Sequence, residues 1–271
     1  MEIKDIFQNN KFCNTKYIII LFLCFFLFNN ANNYLFLISY FNKNKPKISV
    51  FITIFNREKY IRKCIESIQN QTLKDIEIVA VNDCSNDSTL NILNDLAKND
   101  HRIKIVNNDK NHGLLYSRAM GILNASGEYI MNLDSDDEIN DTESLEYLYN
   151  YTQTLKIDII VFSLFFKKFN TIIKCDKINE IILQPEINNN NFLPNNEVRD
   201  YLICNKLIKK EILIQAYETL KIAIYNGKWN YFEDDIWNIL IHKYSKSKLC
   251  LDRLVYIYND NKNSFTLIFA L

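Results

Sequence analysis

Glycine and proline are scarce in this chain, at 4 and 3 of 271 residues. There is no glycine-rich phosphate loop with a basic partner, which counts against nucleotidyl transfer built on such a loop. C-x-x-C pairs are also lacking. Cys13, Cys24, Cys64, Cys84, Cys175, Cys204 and Cys250 are scattered and odd in number. Neither a zinc site nor a disulfide framework is expected, and most of these cysteines read as small buried hydrophobes in a reducing compartment. Net charge is absent as well, with 32 basic and 32 acidic residues. Without a basic field, or a basic stripe interleaved with aromatics, nucleic acid is not an expected partner. Asn, Ile and Lys are plentiful instead. In so Asn-rich a chain, the N-x-[ST] sequons at Asn70, Asn86, Asn124, Asn140 and Asn150 are weak evidence of glycosylation.

A full-length membrane span is missing in simple form. Residues 17–28 are an unbroken apolar run, but a bilayer needs about 20. Residues 34–41 resume the run after an interruption containing Asn29, Asn30, Asn32 and Asn33, which would be expensive in hydrocarbon. Residues 1–46 thus form an N-terminal hydrophobic segment open to three readings: a membrane anchor over about 17–41, an interfacial or targeting segment, or an artefact of gene prediction. Lysines flank it on both sides, so charge gives no orientation. Membrane association is therefore one expectation for this chain.

From residue 48 onward strands and helices alternate. Residues 48–54 are apolar and β-branched, as a central parallel strand should be. Residues 58–69 place Tyr60, Ile61, Cys64, Ile65 and Ile68 on one helical face. Strands are expected at 76–81, 103–106 and 129–133. Helices are expected at 114–123 and after Asp87 or Ser88, either of which can cap. Beyond 141 the pattern loosens into a helix through Leu145–Leu155, a strand at 157–166 and an Asn-rich excursion over 171–196. Helices at 211–220 and 234–244 follow, with a final strand at 253–258. The expected fold is α/β, an open, mostly parallel sheet covered by helices.

Each of the first four strands ends in polar or aromatic groups, where open α/β sheets bind ligands. These are Thr53-Ile54-Phe55-Asn56, then Asn82 to Asp87, then Asn107-Asn108 leading to Asn111-His112-Gly113. The fourth tip is an acidic knot, Asp134-Ser135-Asp136-Asp137-Glu138. Carboxylates this dense repel one another unless a cation neutralises them, and hard oxygen donors suit Mg²⁺ or Mn²⁺. An EF-hand reading fails, because Ile139 replaces the turn glycine and Leu145 the bidentate Glu.

Taken in collinear order, residues 47–141 resemble the family 2 inverting glycosyltransferases, which have the GT-A fold. The motifs are 52–56, Val81 to Thr89, Asn111-His112-Gly113 with Ser117-Arg118-Ala119, and Gly127-Glu128-Tyr129-Ile130 leading into Leu133 to Asp137. The resemblance implies a nucleotide-sugar-binding half at 47–141 and an acceptor-side half at 142–271. It implies that Phe55 stacks on the base beside Thr53 and Asn56, and that Asp83 accepts from the base's imide N–H, as a uracil offers. Arg118 would lie near base and diphosphate, and Asp134 at the ribose and the metal. Asp136 would be the direct ligand of Mn²⁺ or Mg²⁺. Inversion needs a general base. Glu233-Asp234-Asp235 resembles the family's acidic motif, with Asp234 as base and its two neighbours as fallbacks. Asn205-Lys206-Leu207 resembles an acceptor-side segment, and residues 256–264 a late loop, with Asn259 where the family often has Arg. Q-x-x-R-W is absent, which favours transfer of a single sugar, hexosyl or N-acetylhexosaminyl.

The implied partners are a nucleotide-sugar donor, most simply UDP-linked, and a saccharide, lipid-linked or protein acceptor. A glycan on Asn86 would block the nucleotide loop, which favours a cytosolic catalytic domain. The rival is a non-catalytic glycosyltransferase-like module that binds nucleotide or sugar, motivated by the short carboxyl-terminal half and by Asn259.

Overall fold

The computed structural model describes residues 45–174, 181–183, 202–226 and 233–259. The hydrophobic segment at 17–41 lies outside them, as do most of the Asn-rich excursion and the late loop beyond 259. Among the described residues no helix is long and apolar enough to cross a membrane. The chain runs β1 (Ile48–Ile54), α1 (Ile61–Gln69), β2 (Ile76–Asn82), α2 (Thr89–Asn99), β3 (Ile103–Asn107), α3 (Leu114–Asn124), β4 (Tyr129–Asn132) and β5 (Glu138–Ile139). It continues with α4 (Ser144–Leu155), β6 (Ile159–Phe166), β7 (Thr171–Ile173), β8 (Ile181–Leu183), β9 (Lys206–Lys209), α5 (Lys210–Asn226), α6 (Glu233–Tyr244) and β10 (Ser247–Tyr258).

One sheet holds these strands in the order β3-β2-β1-β4-β9-β6-β10-β5, with β7 on β6 and β8 on β10. The first four pair in parallel, Ile54 opposite Asn82 and Asn82 opposite Asn107, so their carboxyl ends share one rim. The expectation of a mostly parallel sheet needs correcting. β9 runs antiparallel to β4 and β6, and β5, β7 and β8 are antiparallel too, so the sheet is mixed. The sequence pattern missed β5 because two residues carry no period. It missed β9 as a strand because Lys206, fully buried within it, breaks the apolar run.

Alternation along the central strands explains the layers. Val50, Ile52, Ile78 and Ala80 belong to one buried cluster with Ile61, Ile65 and Leu93 of α1 and α2. Phe51, Val79 and Val81 belong to a second, with Leu115, Ala119 and Ile122 of α3 and Leu213, Trp237 and Ile241 of α5 and α6. Every residue of β1 is buried, and each large aliphatic side chain removed from water contributes about 1.5–3 kcal/mol. α1 begins at Ile61 rather than at 58, because the N–H groups of Tyr60 and Ile61 both turn back to the Arg57 carbonyl. At the opposite rim Glu77 Oε1 accepts from Ser49 Oγ and from the Gly127 N–H, at 2.5 and 3.1 Å. A Cβ on Gly127 would sit 2.6 Å from the Ser49 backbone nitrogen, so only glycine fits there. Cys64 and Cys204 are buried free thiols and Cys84 a half-buried one, as expected of small hydrophobes. Cys250 is disulfide-bonded, although the cysteine spacing carried no sign of a bridge.

Candidate active site

The loops leaving β1 and β2 are laced together. The Asn56 N–H donates to Ser85 Oγ at 3.0 Å, and the Asn86 N–H donates to Asn56 Oδ1 at 2.8 Å. Asn56 and Cys84 both hold positive φ, 53° and 62°, a conformation that Asn tolerates better than most residues. The Glu58 N–H donates to Asp87 Oδ2 and the Ser88 N–H to Glu58 Oε2. Of the two expected caps for α2, Asp87 makes the bond, accepting from the Thr89 N–H at 3.0 Å, while the Ser88 side chain caps nothing. Beside this lacing Thr53 is buried and Phe55 is 40% exposed, so the Phe55 ring is not core.

Asp83, buried just past β2, holds the next loop. Its Oδ1 accepts from Asn108 Nδ2 at 2.7 Å and from the His112 N–H at 3.0 Å, and its Oδ2 accepts from the Gly113 N–H at 2.9 Å. Gly113 precedes α3 with φ of 88°, which glycine adopts without cost. A carboxylate offers roughly four lone-pair sites, so three of those on Asp83 are spent on positioning. His112 is a loop residue, stacked on Tyr116 at 4.1 Å.

The acidic knot divides into two parts. Asp137 is buried; its Oδ2 accepts from the Tyr256 hydroxyl at 2.6 Å and its Oδ1 from the Asn259 N–H at 2.7 Å. Burial, and then the charge of Asp134, pushes its carboxyl up to about 8. Burial also works against ionised Glu138, but hydrogen bonds from Lys63 (2.7 Å) and Asn259 (2.9 Å) outweigh it and hold the group below its ordinary range. Asp134 and Asp136 are held differently. Asp134 takes one side-chain bond, from Asn132 Nδ2 at 3.1 Å, and its N–H donates to the Tyr256 hydroxyl. Burial raises its pKa; Arg118 opposes that, while Asp234 and Asp136 add to it. Asp136 Oδ2 lies 3.9 Å from Arg57 Nε.

Arg118, only 3% exposed, joins the two halves. Its Nη1 donates to Asp234 Oδ1 and lies 3.6 Å from Glu233 Oε1. Burial disfavours its charge, but Asp234, Asp134 and Glu233 together raise its pKa. Burial raises the pKa of Glu233 against the pull of Arg118, and that of Asp235 with the help of Asp234. The geometry therefore brings Arg118, Asp134, Glu233 and Asp234 together. Behind them Lys206 donates to Asn205 Oδ1 and the Leu202 carbonyl, inside the sheet.

Sequence reasoning missed Arg57 and the clamp that Tyr256 and Asn259 place on Asp137. Arg57 directly follows Asn56 at a strand tip, which was a usable signal. Tyr256 and Asn259 stood in the segment that resembles a late loop, but their contact with the knot, across more than a hundred residues, had no local signal. Among the described residues no group of three or more His, Cys, Asp or Glu is arranged to hold a metal ion. Mg²⁺ is commonly held by one or two carboxylates plus substrate phosphates, and Asp134 with Asp136 meets that pattern. Asn132 Oδ1, beside Asp134, is a buried oxygen without a partner, which also suits an additional cation.

The family model described as Glycosyl transferase family 2 matches residues 49–216. The chain is 30% identical over 232 residues to glycosyltransferase GlyA of Streptococcus pneumoniae, covering 83% of this chain and 32% of that protein. It is 30% identical over 219 residues to the putative glycosyltransferase EpsH of Bacillus subtilis, covering 81% of this chain and 62% of that one. The chain thus spans less than two thirds of either relative. Among solved structures, S. aureus TarS 1–349 in complex with UDP-GlcNAc aligns with a TM-score of 0.62 at 21% identity, over 80% of this chain and 60% of that one. That likeness shows the fold.

Proposed function

The chain belongs to glycosyl transferase family 2, and from that premise we propose that it transfers a single sugar from a nucleotide-diphosphate-sugar to an acceptor hydroxyl with inversion. The observation that carries this reading is Arg118. One buried guanidinium bonds Asp234 and shares its field with Asp134, so the strand-tip knot and the start of α6 face one another. A knot alone could bind nucleotide; a carboxylate set opposite it supplies what transfer also requires.

In this reading Phe55 offers its exposed ring to the base, and the loop pinned by Asp83 receives it. A uracil suits that loop, and the structural relative TarS, solved with UDP-GlcNAc, supports a UDP-linked donor. Asp134 and Asp136 would hold Mn²⁺ or Mg²⁺, which when bound supplies positive charge to the departing nucleoside diphosphate. Arg118 adds a fixed cation in a dry setting, where it acts more strongly than in water. Asp234 takes the acceptor's proton through the oxygen not bonded to Arg118, and Glu233 and Asp235 support it. Asn205, Lys206 and Leu207, all buried, support the acceptor side from within the sheet. The acceptor is a saccharide, free or carried on a lipid or protein. The N-terminal segment associates the enzyme with a membrane, with the catalytic residues on the cytosolic side.

A thermal-shift screen of UDP- and GDP-sugars against the full chain, with and without Mn²⁺, tests the reading. A Mn²⁺-dependent rise in melting temperature with one donor, followed by hydrolysis or transfer, is the expected result. Absence of any nucleotide-sugar response would overturn it, and binding with no turnover across a broad acceptor panel would favour a non-catalytic module.

A further inference from the structure

Arg57 stands at the junction of the base-side loop and the acidic knot. Its backbone is fixed on both sides: its N–H donates to Thr89 Oγ1 at 2.8 Å, and its carbonyl accepts from the Tyr60 and Ile61 N–H groups. The guanidinium is anchored at one nitrogen. Nη1 donates to the Phe55 and Asn56 carbonyls, each at 3.3 Å. The edge bearing Nε and Nη2 makes no hydrogen bond among the described residues, and Nε is enclosed without an acceptor. Its one carboxylate neighbour there is Asp136, whose Oδ2 lies 3.9 Å from Nε, beyond hydrogen-bond reach.

Such an edge is the part of an arginine that grips a phosphate with two parallel N–H bonds. Other donors at this rim are committed elsewhere. Arg118 is 3% exposed and bonded to Asp234. Asn259 spends its N–H on Asp137, its Nδ2 on the Asp136 carbonyl and Glu138, and its Oδ1 on Lys167. The Arg57 side chain keeps 30% of its surface exposed, so an incoming anion can reach it. Its position also suits a diphosphate. A donor with its base on the Phe55 ring and its phosphates at Asp134 and Asp136 must pass between Phe55 and Asp136. Arg57 is bonded to the first and faces the second.

We propose that Arg57 is a diphosphate-binding residue of the donor site, its accessible cation beside the more deeply buried Arg118. The inference rests on the donor reading of that same site. It assigns Arg57 to the phosphates and leaves the base to Phe55 and the loop pinned by Asp83.

The test is calorimetric titration of the full chain in Mn²⁺ with UDP and, separately, with uridine. GDP and guanosine replace them if wild type takes the purine. Wild type, Arg57→Gln and Arg57→Lys are compared. Diphosphate affinity should fall about tenfold or more in Arg57→Gln, with nucleoside affinity unchanged within about twofold. Arg57→Lys keeps the charge without the fork and should lose less. The inference is overturned if diphosphate affinity holds in Arg57→Gln or if the two variants lose alike. It is overturned too if nucleoside affinity falls in parallel, which would make Arg57 a brace for the Phe55 loop and nothing more. If Arg57→Gln does not fold, Arg57→Lys carries the same comparison of diphosphate with nucleoside. Wild type that binds neither nucleotide nor nucleoside defeats the donor reading, and this inference with it.

Discussion

At the tips of β1, β2 and β3 each loop is fastened to a neighbour by side chains that bond backbone, whereas α6 meets the site through a single buried guanidinium. Asn56, Asp83 and Asp87 each accept from N–H groups of a neighbouring loop, so the rim is set before any ligand arrives. Glu233 and Asp234 depend on Arg118 alone for their described contacts with that rim. The difference separates two tasks. A rim that is already in place can bind a rigid nucleotide at little entropic cost, while a helix end tied at one point can adjust to different acceptors.

If that division is right, damage to the far side should reach turnover alone, and damage to the near side should reach binding and stability together. The largest effect is expected from Asp234→Asn. It should lower kcat about 10²–10⁴-fold while nucleotide affinity stays within a few-fold, as single-turnover kinetics and titration would read. Retained activity in that variant, with loss in Glu233→Gln, would move the base to Glu233. Next comes Asp136→Ala, which should abolish the part of donor affinity that depends on Mn²⁺; equal gains from Mn²⁺ in variant and wild type would remove Asp136 as a ligand. Asp83→Asn turns an amide donor toward groups that already donate, and should cost about 1–3 kcal/mol of stability together with donor affinity. Denaturant titration that shows no loss would mean the loop is held by something else.

The smallest effect concerns Asp100, far from the chemistry. Hydrogen bonds from Arg102, at 2.7–3.2 Å, outweigh burial and hold its carboxyl well below the ordinary range. A depressed folded-state pKa contributes stability that is present above the unfolded value, about 3.9. That stability is lost as pH falls through the lower folded value. The slope of stability against pH below about 4 should therefore flatten in Asp100→Asn, with melting temperature as the readout and turnover at neutral pH unchanged.

The contrast between the halves also sorts what could be read in the sequence. β1, α1, β2, α2, β3, α3 and β4 were legible because each carries one period and a polar tip, and local physics decides them. In the far half α4, β6, α5, α6 and the end of β10 were legible too, but β5 and β9 were not. β9 contains a buried lysine, and β5 exists only because β10 pairs with it through Ile257 and Tyr256. The roles of Tyr256 and Asn259 share that long-range origin. Arg118, Asp134 and Asp234 were each visible as residue types at motif positions, but their meeting was not, since no local pattern specifies a contact between α3 and α6.

The Arg118–Asp234 contact spans 116 positions of chain, and this sets an order of assembly. Closing so long a loop costs entropy that neighbouring strands do not incur. The parallel rim of β1 to β4 can form as soon as β4 emerges from the ribosome, but the carboxylates of α6 are synthesised later and meet it afterwards. The growing chain therefore holds its rim of strand tips before it holds the carboxylates that face it.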